Sequence, residues 1–292
     1  MINSIRSLFQ SKEKLFSFEV FPAQTPEGHQ KLLSTLKELC GLKPDFISCT
    51  YGAGGGSRER TLDVVEHIQN QYNVPAMAHL TCVLHDKRQL EGILKDIDGR
   101  GIQNILALRG DPPKGHAADE VLKGGLRYSS DLVSLIRSVL GGKMTVGVAG
   151  FPEGHMLAPD ADSDARYLRE KVRAGADLVI TQLFFENRLY FEYVGRLKKL
   201  GVEVPVLPGI LPITDYAGLK RFCERCGASI PKKVHAIFAP LEGDGPRTIE
   251  AGIRYAVDQC KELLNGGAPG IHLYTLNKLH PSDAILSQIR PS

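Results

Sequence analysis

The sequence contains no tryptophan, no apolar run long enough to span a bilayer, and no basic run. The second absence excludes a transmembrane helix. The third, with a net charge of only +3, speaks against nucleic acid as a partner, while a local pocket could still attract small anions. The amino-terminal stretch MINSIRSLFQSKEK lacks the apolar centre of a signal peptide and reads as a short amphipathic helix, so the cytoplasm is the expected compartment. Cysteine is sparse: Cys40, Cys49, Cys82, Cys223, Cys226 and Cys260 are scattered along 292 residues. Cys49 and Cys82 fall in apolar, strand-like runs as small hydrophobes. Cys223 and Cys226 form one C-x-x-C on a helical pattern with no second pair, which leaves a zinc site two ligands short, and no metal is expected.

What is present is ordinary globular composition, 42% hydrophobic and 24% charged, arranged in a repeating order. Strand-like runs occupy 15–22, 45–51, 75–82, 104–110, 144–151, 178–185, 204–210 and 270–276. The first four start about 30 residues apart, the length of a βα unit. Helical periodicity fills the gaps, as in Leu32, Leu33, Leu36 and Leu39, or Leu132, Leu135, Ile136 and Val139. Eight such runs without tight-hairpin signals predict an α/β fold of one domain over residues 1–292, a (β/α)8 TIM barrel. A doubly wound open sheet is the competitor, but FPAQTPEG stands where its G-x-G-x-x-G would follow the first strand. The gap from 211 to 269 shows helical patterns at 215–229 and 247–264. Long loops are expected after the fourth strand (111–127) and the fifth, at the barrel face where sites are built.

Glu19 sits among three phenylalanines in FSFEVFP. It is either a surface residue on an edge strand or a carboxylate kept inside for chemistry, where burial would raise its pKa toward the range of a general acid. Strand alternation places Glu19 with Ser17, Ser48 with Thr50, His79 with Thr81 and His272 with Tyr274 on single faces. Arg109, Gly110 and Asp111 close the fourth strand, and Gln182 lies in the sixth. Any one of these, His79 included, could be a satisfied core residue. Polar residues ending five or six strands at one face argue together for a site.

These motifs, taken in order, resemble the methylenetetrahydrofolate reductase family. FSFEVFP, TYGAGGGSRERT, AHLTC, ALRGDPP, FPEGH, ITQLFF, PGILPI and HLYTLNK are each similar to family segments, nearly end to end. The resemblance implies a barrel flavoenzyme with tightly but non-covalently bound FAD. NADH or NADPH would reduce the flavin, and 5,10-methylenetetrahydrofolate would then be reduced to 5-methyltetrahydrofolate by a ping-pong hydride transfer. Glu19 matches the family's general acid, which assists opening of the imidazolidine ring to the 5-iminium ion. Asp111 matches the aspartate near flavin and pterin, where it accepts hydrogen bonds from the pterin and disfavours an anionic reduced flavin. Thr50, His79, Arg109, Gly110, Asp111, Tyr128, Phe151, His155, Asp164 and Lys171 match cofactor-binding positions. Gln182, Tyr216, Tyr274 and Lys278 match substrate-side positions. Seen alone, Lys171 and Asp164 would read as exposed helix charges.

Three departures from the family pattern are visible. Phe151 stands where many members carry tyrosine, Lys278 where arginine is common, and AGGGSRER is rich in glycine. The resemblance further implies a homo-oligomer, and a sequence ending near the barrel's end without the regulatory domain of eukaryotic members. Two other classes compete: a folate-binding barrel methyltransferase that passes a methyl group to a corrinoid partner, and a non-catalytic barrel subunit.

Overall fold

In the first strand, β1 (Leu15–Val20), Glu19 is registered against Ser48 of β2 (Phe46–Cys49) and Tyr274 of β9 (Gly270–Tyr274). Parallel pairing therefore sets polar residues from three neighbouring strands side by side. The computed structural model describes residues 4–51, 58–111 and 125–290. Much of the expected loops at 53–60 and 111–127 falls outside the described residues.

The remaining strands are β3 (Ala76–Thr81), β4 (Asn104–Leu108), β5 (Thr145–Gly150), β6 (Leu178–Thr181), β7 (Val206–Leu207) and β8 (Gly209–Ile210). Helices alternate with them: α1 (Ile5–Ser11), α2 (Pro26–Gly41), α3 (Arg58–Tyr72), α4 (Lys87–Gly99), α5 (Ser129–Leu140), α6 (Ala161–Arg173) and α7 (Asn187–Lys199). After β8 come α8 (Tyr216–Cys226), α9 (Lys232–Phe238), α10 (Gly245–Asn265) and α11 (His280–Ile289). Among the described residues the nine strands form one parallel sheet, ordered β7-β6-β5-β4-β3-β2-β1-β9-β8.

The run expected as a single seventh strand is thus split in two. β7 pairs with β6, and β8 pairs with β9, so this short segment closes the barrel. Pro208 between them has no N–H to give the ladder, although its carbonyl accepts from His272 N at 2.9 Å. The next amide, Gly209, donates instead to the Thr181 hydroxyl at 2.9 Å. A Cβ at Gly209 would come within 2.3 Å of the Thr181 carbonyl, so only glycine permits this approach. The structure also adds α9, between the two helical patterns read from the sequence.

The core has two layers. Leu, Ile and Val of the outward strand faces pack against the helices, each buried side chain contributing roughly 1.5–3 kcal/mol. Inside the barrel, Phe46, Met77, Leu106, Leu178, Ile180 and Leu207 form a separate cluster with Ile5 of α1. The amphipathic helix expected at the amino terminus seals this end. Its Ile5 amide donates to Asn104 Oδ1 at 2.9 Å, and Asn104 Nδ2 donates to Ala76 O at 3.0 Å. The opposite end is left for polar side chains.

Candidate active site

One residue pair farther along the same strands, the lumen changes character. Glu19 lies here with its side chain 19% exposed, neither on an open edge nor sealed in the core. Its Oε2 is 3.5 Å from His79 Nε2 and 3.7 Å from His272 Nε2, close enough for strong electrostatic coupling but long for direct hydrogen bonds. His272 is fully buried and held on several sides. Its Nδ1 is 2.7 Å from the Ser17 hydroxyl, and its Nε2 is 3.4 Å from the Ser48 hydroxyl. Phe46 stacks on it, with centroids 5.8 Å apart, and Tyr274 meets it edge-on at 5.5 Å.

Burial lowers the His79 pKa to about 4, against an opposing pull from Glu19 and a further push from His272. At neutral pH His79 is therefore uncharged and does not neutralise the glutamate. Burial also holds the Tyr274 phenol well above its ordinary value, helped by the charge of Glu19. Its hydroxyl donates to Thr181 O at 2.6 Å, which pins the ring as a wall of the site.

A second group gathers at the ends of β4 and β5. Gly110 has φ +82°, and a Cβ there would meet the Thr81 Cβ at 2.9 Å, so the backbone at this rim is bare by necessity. Half-buried Arg109 precedes it and exposed Asp111 follows. Phe151 and His155 meet edge-to-face at 4.6 Å. Lys171 does not point to solvent. Its Nζ donates to Ala149 O at 3.0 Å and lies 5.8 Å from the Phe151 ring centroid. Burial lowers its pKa to about 8, opposed by Asp164. Asp164 is buried too, and its pKa is raised by that burial against the pull of Lys171 and the His155 amide. The His155 pKa is lowered by burial first, then by Arg109 and Lys171, with Asp111 opposing. Three charged side chains thus act on one imidazole, while Asp164 takes its backbone amide.

Thr50 sits at the end of β2, its amide on Val20 O at 2.9 Å and its carbonyl accepting from the Thr61 hydroxyl at 2.9 Å. Tyr128 precedes α5 with its ring exposed and the Arg127 guanidinium 5.9 Å from the centroid. On the β6–β8 side, Gln182 donates its amide to Gly150 O at 2.7 Å, and its Oε1 accepts from the Leu183 amide at 2.9 Å. Tyr216 is buried in a satellite cluster with Leu183, Leu211 and Ile213, its hydroxyl engaged with His235 Nδ1. Lys278 Nζ donates to the Thr214 hydroxyl at 3.2 Å.

The barrel therefore brings Glu19, His79 and Tyr274 into contact range of one another's charge, and Arg109, Asp111, Phe151, His155, Asp164 and Lys171 into a second cluster. Tyr216 is placed beside the first group through Tyr274, which packs against the same satellite cluster. Ser17, Ser48 and His272, read from the sequence only as lumen-facing polar residues, are the immediate surroundings of the carboxylate. A cavity of about 510 Å³ between α7 and α10, lined by Asn187, Tyr255 and Gln259, lies apart from this chemistry. Among the described residues no group of three His, Cys, Asp or Glu side chains is arranged to hold a metal ion.

Comparison with known proteins bears directly on this geometry. The family profile described as methylenetetrahydrofolate reductase matches residues 4–290. A methylenetetrahydrofolate reductase (NADH) of Arabidopsis thaliana is 37% identical over 286 residues, covering 95% of this chain but 48% of that protein. The 5,10-methylenetetrahydrofolate reductase of Escherichia coli is 37% identical over 269 residues, covering 92% of this chain and 88% of that one. The chain thus spans about half the length of its plant relatives. Among solved structures, a Clostridium thermocellum protein that binds two copies of 5-methyl-5,6,7,8-tetrahydrofolic acid superposes with a TM-score of 0.67 at 16% identity, covering 98% and 97% of the two chains. Oxaloacetate acetylhydrolase follows at 0.53 and 13%, covering 98% and 84%. Both share the barrel architecture. With ordered motifs, closed barrel and profile all in agreement, the chain belongs to the methylenetetrahydrofolate reductase family.

Proposed function

We propose that this chain reduces 5,10-methylenetetrahydrofolate to 5-methyltetrahydrofolate with electrons from NADH or NADPH, passed through bound FAD in two separate half-reactions. The observation that carries the reading is Glu19: a carboxylate in the polar end of the lumen, beside an imidazole that burial keeps neutral. The names of the bacterial and plant relatives support the substrate, and that of the plant relative supports NADH as donor.

The residues at the β4–β5 rim suit a large, flat, anionic cofactor. His79 Nε2 is buried without a hydrogen-bond partner, Gly110 offers close backbone approach, and Arg109 and Lys171 supply positive charge. Thr50, His79, Arg109, Gly110, Asp111, Tyr128, Phe151, His155, Asp164 and Lys171 would hold FAD. When bound, FAD supplies a two-electron carrier between nicotinamide and folate.

The chain's own groups do the rest. Glu19, in its protonated form, delivers a proton to the folate N10, so the bond from that nitrogen to the bridging methylene breaks and the imidazolidine ring opens to the 5-iminium ion. His272, clamped by Ser17 and Phe46, stands as a fixed wall 3.7 Å from the carboxylate. Asp111, at the exposed rim, accepts hydrogen bonds from the pterin N–H groups and opposes added negative charge on the neighbouring ring system. Gln182, Tyr216, Tyr274 and Lys278 form the substrate side, where Lys278 offers a single point charge. A cytoplasmic homo-oligomer completes the proposal.

Anaerobic rapid mixing of the purified protein tests it. The oxidised flavin band is expected to bleach with one nicotinamide nucleotide and to recover on addition of methylenetetrahydrofolate. A protein that holds no flavin after reconstitution, or whose flavin ignores both nucleotides, would overturn it.

A further inference from the structure

The C-x-x-C at the end of α8 has no part in the chemistry above, yet its two sulfurs are placed unlike any other thiols in the chain. Cys223 and Cys226 are three residues apart on the last helical turn and share one face. Cys223 is buried, whereas Cys226 is partly open. The helix ends in a left-handed cap: Gly227 has φ +77°, and its amide donates to Cys223 O at 2.8 Å. Cys226 Sγ donates to the Cys223 carbonyl at 3.9 Å. The Cys226 thiol pKa is lowered, first by hydrogen bonding with the Cys223 thiol and then, against burial, by the Ala228 and Cys226 amides. Glu153, the nearby carboxylate, is engaged by the Ser229 amide and hydroxyl. The Cys40 and Cys82 thiols are instead pushed up to about 12, and those of Cys49 and Cys260 still higher, all by burial.

The pair also borders the substrate wall. Cys226 packs against the same apolar cluster as Tyr274, whose phenol pKa a negative charge at Cys226 helps to raise. Helical neighbours three apart hold their Cβ atoms about 5–6 Å apart, and a disulfide needs about 3.5–4.5 Å. Closing the gap requires tightening the single terminal turn that the Gly227 amide holds at Cys223 O.

We propose that Cys226 and Cys223 form a reversible thiol–disulfide site at the rim of the barrel mouth that exchanges with low-molecular-weight disulfides through the partly open Cys226. The Cys226 thiolate attacks one sulfur of the small disulfide; the new S–S bond forms as the old one breaks, and the departing thiolate takes up a proton. Cys223 then gives its proton to solvent, attacks the Cys226 sulfur and releases the second small thiolate. The protein loses two protons and two electrons, and one small disulfide becomes two thiols. Excess thiol reverses both steps.

The test uses glutathione disulfide and the full-length protein, with acid quenching and peptide mapping. The wild type is expected to yield an internal Cys223–Cys226 disulfide while the other four cysteines stay free. Cys223→Ser should accumulate the mixed disulfide at Cys226, and Cys226→Ser should yield neither product. Brief alkylation of the untreated protein should label Cys226 at least about tenfold faster than Cys223. Equal labelling of the two thiols, attack at one of the other four cysteines instead, or a Cys226→Ser protein that still takes up glutathione would each overturn the proposal. None of these readouts depends on folate reduction.

Discussion

The two ends of the barrel lumen are built from the same strands and do opposite work. On β2, Phe46 faces the sealed end and Ser48 the open one; on β3, Met77 and His79 divide in the same way. A step of two residues keeps the side chain inside while moving it along the strand by roughly 6–7 Å. Below that step the lumen is an apolar plug closed by Ile5. Above it, polar groups accept incomplete hydrogen bonding, as the orphaned His79 Nε2 shows. The plug provides rigidity, and the polar end spends some of it on placing unsatisfied groups toward a ligand.

The sharpest way to break the contrast is at Glu19. Glu19→Gln is expected to slow folate reduction by about 10²–10⁴-fold while leaving nicotinamide oxidation and thermal stability nearly unchanged. Separate stopped-flow traces of the two half-reactions check this. Equal collapse of both would make Glu19 a structural residue.

At the sealed end the balance reverses. Met77→Ala should cost about 2–5 kcal/mol of unfolding free energy, measured by denaturant titration. The turnover of whatever fraction stays folded should be preserved. A large loss of turnover without loss of stability would mean the two ends are not separable.

A third comparison is made by pH. The His79 pKa of about 4 lies below its ordinary value of 6.5, so between these values the unfolded chain binds more protons than the folded one. This contribution to stability is complete above pH 6.5 and is lost as the pH falls through 4, on the order of 3 kcal/mol. His79→Asn should flatten that part of the stability–pH curve, and an unchanged slope would remove burial as the cause.

The smallest effect is expected at the second cluster. The Lys171 pKa of about 8 marks an ammonium held where burial disfavours its charge. Lys171→Met should stabilise the flavin-free protein by about 1 kcal/mol, after allowance for partial exposure, and weaken FAD binding about tenfold. Melting curves and flavin titration measure the two sides of this exchange. A variant that loses stability would show the ammonium to be structural.

Much of this arrangement was legible because β-strand alternation is strict. Ser17 with Glu19, and His272 with Tyr274, could be placed on common faces from period-two spacing alone. Their meeting across the barrel seam depends on parallel register between residues 255 apart, as Ser17 and His272 show, which no local pattern encodes. Lys171 was illegible for a different reason: a charge on a helix looks the same whether it faces water or reaches back to a strand carbonyl. The Tyr216–His235 pairing crosses from α8 to α9, a helix that composition between two stronger periodic segments did not announce. Pro208 stands in a run that reads as one strand, and the split there emerges only when both neighbours, β6 and β9, are known.

That split makes the barrel a ring with a clasp. Elsewhere around the circumference each strand is riveted to its neighbour by consecutive amides, whereas at the clasp one amide is missing by covalent chemistry and the next is diverted to a threonine hydroxyl. Deuterium uptake should therefore run unevenly around the ring, fastest at 206–210 and slowest through β3 and β4 on the far side. The ring's weakest link therefore lies beside Tyr274, at the wall of the polar end, and leaves the hoop on the far side untouched.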